Sequence, residues 1–216
     1  MVVYLVKVIA KELCMKYYLD ITLLPDAEAN IGFLWQKVYQ QVHLALVENK
    51  IAKNQSAIAL SVPKYGDKTF PLGDKLRLFS KTEQQLEQLN IGKWLNRLTD
   101  YTHYTSIKEV PLSVNQFACF KRKQFKSNLL KAAVRRAKYK NESVEQAMVH
   151  FQAYKKECTL PFIAIESLST NKVSADRRIF KIFIEHQLSD KASVGEFNCY
   201  GLSHRDLNKV ATVPWF

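Results

Sequence analysis

The sequence predicts an α+β fold. Residues 15–110 follow a β-α-β-β-α-β order, and residues 111–216 form a second α+β region carrying a strongly basic helix. Three observations support this. Apolar periodicity switches between the strand period and the helix period in that order from Met15 onward. The character of the chain changes after Pro111. Residues 121–141, KRKQFKSNLLKAAVRRAKYKN, hold nine Lys or Arg and no acid.

Lys16 to Leu23 (KYYLDITL) alternates as a strand does, and Pro25-Asp26 ends it. Residues 27–49 place Leu34, Val38, Val42, Ala45 and Leu46 on one helical face. Residues 57–62 read as a strand, the stretch around Lys64-Tyr65-Gly66-Asp67 as a turn, and residues 75–79 as a strand. Ser80-Lys-Thr-Glu83 has capping-box spacing and predicts a second helix through Gln84, Leu86 and Leu89. Residues 91–95 (IGKWL) predict a short helical turn, and the aromatic, β-branched residues 101–110 a strand. This order is the ferredoxin-like arrangement, which RNA-recognition modules also use.

In the second region, QFACF over 116–120 predicts a short apolar strand ahead of the basic helix. Residues 161–165, 179–184 (IFKIFI) and 196–200 predict three more. The chain ends in an aromatic tail, Pro214-Trp215-Phe216. Residues 1–14 precede the regular pattern and are expected to lie outside the fold.

Charge narrows the partners. Lys and Arg number 32 against 20 Asp and Glu, a net charge of +12 on 216 residues. A surplus of that size favours a polyanion, nucleic acid first and an anionic membrane second. The cysteines, Cys14, Cys119, Cys158 and Cys199, form no CxxC pair, and their scatter suits a reducing cytoplasm. The apolar run at 2–10 is too short to span a bilayer. No HExxH, Walker loop or other metal-ligand or phosphate-cradle spacing occurs, so no metal or cofactor is expected and any chemistry falls to side-chain acids and bases.

On a helix over 128–140, Leu130, Ala133, Val134 and Ala137 form an apolar stripe, and Lys131, Arg135 and Lys138 share another face with Arg136 beside them. Such a face can sit against phosphate rows, each phosphate neutralised adding affinity and salt dependence; its plainer reading is a solvated basic helix. Arg122 and Gln124 stand at i and i+2, so an extended strand would point both the same way. Arg pairs bidentately with guanine and Gln with adenine; otherwise the two are polar residues on an exposed strand. His43 sits one residue past the stripe of its helix, where a histidine is ordinarily structural. Ser167 and Ser169 read as loop hydroxyls, and Tyr200 as a core residue.

Taken together, these residues form a known series. Tyr17-Tyr-Leu-Asp20 comes first and His43 follows. Next are Arg122-x-Gln124-x-Lys126-Ser-Asn128 before a basic helix, and Leu160-Pro-Phe162 with Ser167-x-Ser169-Thr170. Phe180-Lys-Ile-Phe-Ile184, Phe197-x-Cys-Tyr-Gly-Leu-Ser203 and Val213-Pro-Trp-Phe216 complete it. The set resembles the type I-F CRISPR repeat-RNA endoribonucleases, the Cas6-like processing nucleases of that subtype, over nearly all of the chain from Met15.

The resemblance implies an N-terminal ferredoxin-like domain and a C-terminal domain with a basic RNA-binding helix. It implies binding of the CRISPR repeat hairpin, as pre-crRNA and as mature crRNA. Cleavage falls at the 3′ base of the hairpin, leaving a 5′-hydroxyl and a cyclic phosphate, and the protein then stays on the guide beside other subunits of the interference complex. His43 matches the catalytic histidine, Ser167 the serine that holds the attacking ribose, and Tyr200 the tyrosine that helps position the histidine. Arg122 and Gln124 match the readers of base edges low in the stem, and Phe180 the aromatic that stacks beside the cut. Lys126, Lys131, Arg135, Arg136, Lys138, Ser169 and Thr170 fall at its RNA-contacting positions. Whether His43 takes the 2′-OH proton or protonates the leaving oxygen stays open at this level. The competing readings are a non-catalytic RRM-like RNA-binding module and a basic DNA-binding or structural protein.

Overall fold

The computed structural model describes residues 15–124, 129–152, 159–167 and 179–216. Within these the chain is α+β. It divides into two compact units, one built from the segments ending at Arg122 and resuming at Pro161, the other from Lys123–Leu160.

The first unit opens with β1 (Tyr17–Leu23) and helix α1 (Ile31–Glu48). The Asn30 side chain caps α1, accepting from the Phe33 N–H at 2.9 Å. Its buried face holds Leu34, Trp35, Val38, Tyr39, Val42, Ala45 and Leu46, the expected stripe with two large aromatics added. The short strands β2 (Lys50–Ala52) and β3 (Gln55–Ser56) form a hairpin. After it come β4 (Ala59–Ser61), β5 (Lys75–Ser80), α2 (Glu83–Leu89), α3 (Ile91–Leu95), β6 (Thr102–Tyr104) and β7 (Lys108–Glu109). The first sheet runs β4-β5-β1-β6, all antiparallel, with β7 also paired to β1.

The expected strand over 101–110 is thus two short strands on the same neighbour. The cap of α2 also differs from expectation. Ser80 still belongs to β5, opposite Tyr17, so the helix starts only once the chain has left the sheet. Thr82 is the N-cap, and the Gln85 side chain accepts from the N–H groups of Lys81 (3.1 Å) and Thr82 (3.3 Å).

The second sheet runs β11-β8-β10-β9, from β8 (Phe117–Lys123), β9 (Phe162–Glu166), β10 (Ile179–Ser189) and β11 (Val213–Pro214). One hydrophobic core joins the two sheets. Leu19, Ile21, Leu78 and Phe79 of the first share it with Phe120, Ile163, Ile165, Ile182 and Ile184 of the second. The aromatic tail is anchored on the first sheet. Arg77 is buried between the rings of Tyr18 and Phe216, 4.6 and 4.0 Å from their centroids. Its guanidinium donates to both Asp20 carboxylate oxygens and to the main-chain oxygen of Phe216, the last at 2.9 Å. Burial alone would raise the Asp20 pKa, but the hydrogen bonds and charge of Arg77, with Lys75 beside it, hold it below the usual value.

Residues 196–200 do not form the expected strand. Phe197 makes single bridges to Ser56 and Ser203, and the chain then turns. The Asn198 side chain accepts from the Tyr200 N–H at 2.9 Å, and Gly201 sits at φ +72°, where a Cβ would lie 2.7 Å from the Leu60 Cβ. Turn chemistry and close approach therefore override the aromatic, apolar composition.

The second unit contains α4 (Leu129–Lys140) and α5 (Val144–Gln152). They meet through Ala133, Ala137 and Ala147. Leu130 and Val134, expected in the same stripe, are exposed: alanines let the helices approach closely, and the bulkier pair falls outside that narrow seam. Helix α5 goes beyond the elements expected from sequence, although Ser143-x-x-Gln146 carries its signal. The Ser143 hydroxyl accepts from the Gln146 N–H at 3.1 Å, and the Gln146 side chain accepts from the Ser143 N–H at 3.0 Å. No helix among the described residues is long and apolar enough to cross a membrane.

Candidate active site

Helix α1 presents His43 at the border of its buried face, half-buried. Its Nδ1 lies 2.8 Å from the carbonyl oxygen of Cys199, 156 residues away in sequence. A carbonyl only accepts, so Nδ1 carries the proton. In the neutral ring the lone pair is then on Nε2. The imidazole stacks on Tyr200, with centroids 4.4 Å apart and planes 2° from parallel. Burial lowers the His43 pKa below its ordinary value; the Cys199 hydrogen bond pulls it back up, and the Arg122 charge lowers it further.

Arg122, on β8, extends the stack. Its guanidinium carbon is 5.0 Å from the Tyr200 ring centre and 5.5 Å from that of Phe180. Its Nε is buried with no hydrogen-bond partner among the described residues. Phe180 reaches this corner through β10, opposite Ile165 of β9. Ser167 directly follows the last residue of β9 and is half-buried. His43, Tyr200, Arg122 and Phe180 are therefore brought together within one unit. They set an imidazole whose Nδ1–H is held by a carbonyl beside a guanidinium stacked on aromatic rings.

Strand β8 stops at Lys123, one residue short of Gln124, so the shared orientation expected of Arg122 and Gln124 does not follow from the strand. Arg135 and Lys138 are exposed on α4, as is Lys131, while Arg136 is ion-paired to Glu142 at 2.6 Å. Lys126, Ser169 and Thr170 lie outside the described residues, as do residues 1–14. Cys119 and Cys199 are buried free thiols. Among the described residues no group of three or more His, Cys, Asp or Glu is gathered that could hold a metal ion.

Two residues at this corner escape sequence reasoning. Tyr39 and Gln40, one turn ahead of His43, hydrogen-bond to Tyr200 O at 3.0 Å and to Glu166 N at 2.9 Å. Their only sequence signal is the i, i+3, i+4 spacing to His43, which puts all three on neighbouring positions of one helix face.

The chain belongs to the CRISPR-associated protein family Cas_Csy4, which it matches over residues 18–216. Among relatives, it is 32% identical over 204 residues to the CRISPR-associated endonuclease Cas6/Csy4 of Escherichia coli (strain UTI89 / UPEC), covering 94% of this chain and 100% of the relative. It is 31% identical over 206 residues to the protein of the same name from Pseudomonas aeruginosa (strain UCBPP-PA14), with the same coverage.

Proposed function

We propose that this protein is a metal-independent endoribonuclease of the cytoplasm. It binds the CRISPR repeat stem-loop, cuts the precursor RNA at the 3′ base of the hairpin, and stays on the mature guide with the other subunits of an interference complex. In this reading the antiparallel β4-β5-β1-β6 sheet is the core of a ferredoxin-like domain, and α4 is an RNA-binding helix. That both relatives are CRISPR-associated endonucleases supports the endonuclease class. The observation that carries the chemistry is the hydrogen bond from His43 Nδ1 to Cys199 O, which leaves Nε2 as the basic nitrogen of the neutral ring, while burial lowers the His43 pKa below its ordinary value.

The mechanism needs no external nucleophile, because RNA carries its own. His43 Nε2 takes the 2′-OH proton. The 2′ oxygen forms a bond to phosphorus as the bond from phosphorus to the 5′ oxygen breaks. The products are a 2′,3′-cyclic phosphate and a 5′-hydroxyl, the departing oxygen taking a proton from solvent. Ser167 holds the ribose, and Tyr200 keeps the imidazole in plane. Arg122 reads a base edge low in the stem, together with Gln124. Phe180 stacks beside the cut. Alignment of this kind lowers a barrier by up to about 7–11 kcal/mol in ideal cases, and a positioned base contributes about 10²–10⁴-fold.

The test is incubation with repeat hairpin RNA in EDTA. A cyclic-phosphate product is expected, unchanged by added magnesium. Cleavage that EDTA stops and magnesium restores overturns the mechanism. Tight hairpin binding with no cleavage under any condition points to an RRM-like binding module.

A further inference from the structure

We infer that Tyr39 and Gln40 are positioning residues for this reaction, a role that rests on the reading of His43, Ser167 and Tyr200 given above. An α-helix repeats every 3.6 residues, so residues 39, 40 and 43 lie side by side. Each reaches across to main chain that is distant in sequence. The Tyr39 hydroxyl, on a fully buried side chain, donates to Tyr200 O at 3.0 Å. His43 Nδ1 donates to Cys199 O at 2.8 Å. Gln40 Oε1 accepts from Glu166 N at 2.9 Å. One turn of α1 thus fixes the backbone of two segments, the turn at 199–200 and the end of β9.

These ties act on the residues that follow. Because the backbone of Tyr200 is held from Tyr39, its ring stays parallel to His43 rather than swinging about the Gly201 turn. Glu166 is the last residue of β9, and Ser167 comes next. Strand pairing with β10 sets the register of β9, and Gln40 ties its end to the helix that carries His43. The relative placement of serine, tyrosine and histidine therefore runs through Tyr39 and Gln40. Neither side chain needs to touch RNA for this, and a small displacement of such groups is costly to rate.

The test uses the full chain and its own repeat hairpin, with protein in excess and on the plateau of the pH profile. Gln40→Met keeps the volume but removes the acceptor; Gln40→Glu keeps an acceptor oxygen. Gln40→Met is expected to cut about five- to tenfold more slowly, with unchanged affinity for a hairpin carrying a 2′-deoxy substitution at the cut. Gln40→Glu is expected to restore the rate. Tyr39→Phe, which loses only the hydroxyl, is expected to slow cleavage by a similar factor with affinity and melting temperature retained. The inference is overturned if Gln40→Met and Gln40→Glu behave alike, or if the loss of rate follows an equal loss of affinity or of melting temperature. A wild-type protein that does not cut the hairpin defeats the proposed function itself. A wild-type protein that cuts, beside a Gln40→Met that cuts as fast, defeats this inference alone.

Discussion

His43 and Arg135 are both functional candidates on helices, but the two helices are supported in different ways. Helix α1 buries Trp35, Val38, Tyr39, Val42 and Leu46 in the core that joins two sheets. Helix α4 is backed by Ala133 and Ala137 against Ala147. The difference follows from the work proposed for each. Proton transfer needs an imidazole held within a fraction of an ångström, so His43 is clamped by a hydrogen bond, a parallel ring and a large core. Phosphate attraction falls off gently with distance, so cations on an exposed face serve it without a rigid support. Even within α4 the distinction holds, since Arg136 is paired with Glu142 while Arg135 projects as an exposed side chain.

The largest effect is expected at the clamped end. His43→Ala should lower the single-turnover cleavage rate by about 10²–10⁴-fold while leaving hairpin affinity nearly intact, because His43 lies outside the basic segment. The wild-type pH profile carries the matching sign. With the His43 pKa depressed, the neutral form persists below the ordinary value of 6.5. Cleavage should therefore be flat through neutral pH and fall only as acid protonates Nε2, with the midpoint of kcat/KM below that value. A profile that rises on acidification would instead make His43 the proton donor.

Arg122 sits on the boundary between the two kinds of support, and it gives an intermediate effect. If it reads a base, Arg122→Ala should cost about 1–3 kcal/mol of hairpin affinity and relax preference at one stem position. Its charge also lowers the His43 pKa, after burial. The same variant should therefore move the acid limb of the pH profile upward, an effect that Gln124→Ala should lack. Hairpins with swapped basal pairs and a pH series on each variant separate the two roles. A uniform loss on all hairpins with no pH change would reduce Arg122 to a simple cation.

Legibility in the sequence follows the same line. Apolar patterns reveal β1, α1, β5 and the basic helix, although on the basic helix only the alanines of the expected stripe are buried. Helix α5 is readable from Ser143 and Gln146 but sits among polar residues that draw no attention. The turn at 198–201 resembles a strand because Phe197, Cys199 and Tyr200 have strand composition; Asn198 and Gly201 are the contrary signals. The His43 corner has no local signature. It joins residues 43, 122, 180 and 200, and only resemblance to a family links them in the sequence. Tyr39 and Gln40 are invisible for the same reason, since their partners are main-chain atoms, which leave no trace in residue identity.

The smallest effects belong to the exposed helix. Arg135 and Lys138 should act through charge alone, so replacing either with Ala should weaken binding to every stem sequence alike. Each phosphate left without its cation releases one fewer counterion, and the slope of log K against log salt should fall by about 0.9 on a duplex stem. Arg136 provides the internal contrast. Its guanidinium already neutralises Glu142 at the α4–α5 connection. Arg136→Ala should thus change the salt slope less than Arg135→Ala. It should instead loosen the helix pair, whose fully buried seam residues are small, and show faster amide exchange in α4 and α5. Affinities at four or five salt concentrations, on cognate and swapped hairpins, decide the matter. Equal slope changes for Arg135→Ala and Arg136→Ala would mean that Arg136 exchanges Glu142 for phosphate on binding. In that case the ion pair ties α4 to the α4–α5 connection only in the free protein, and the number of cations that α4 offers to RNA rises by one.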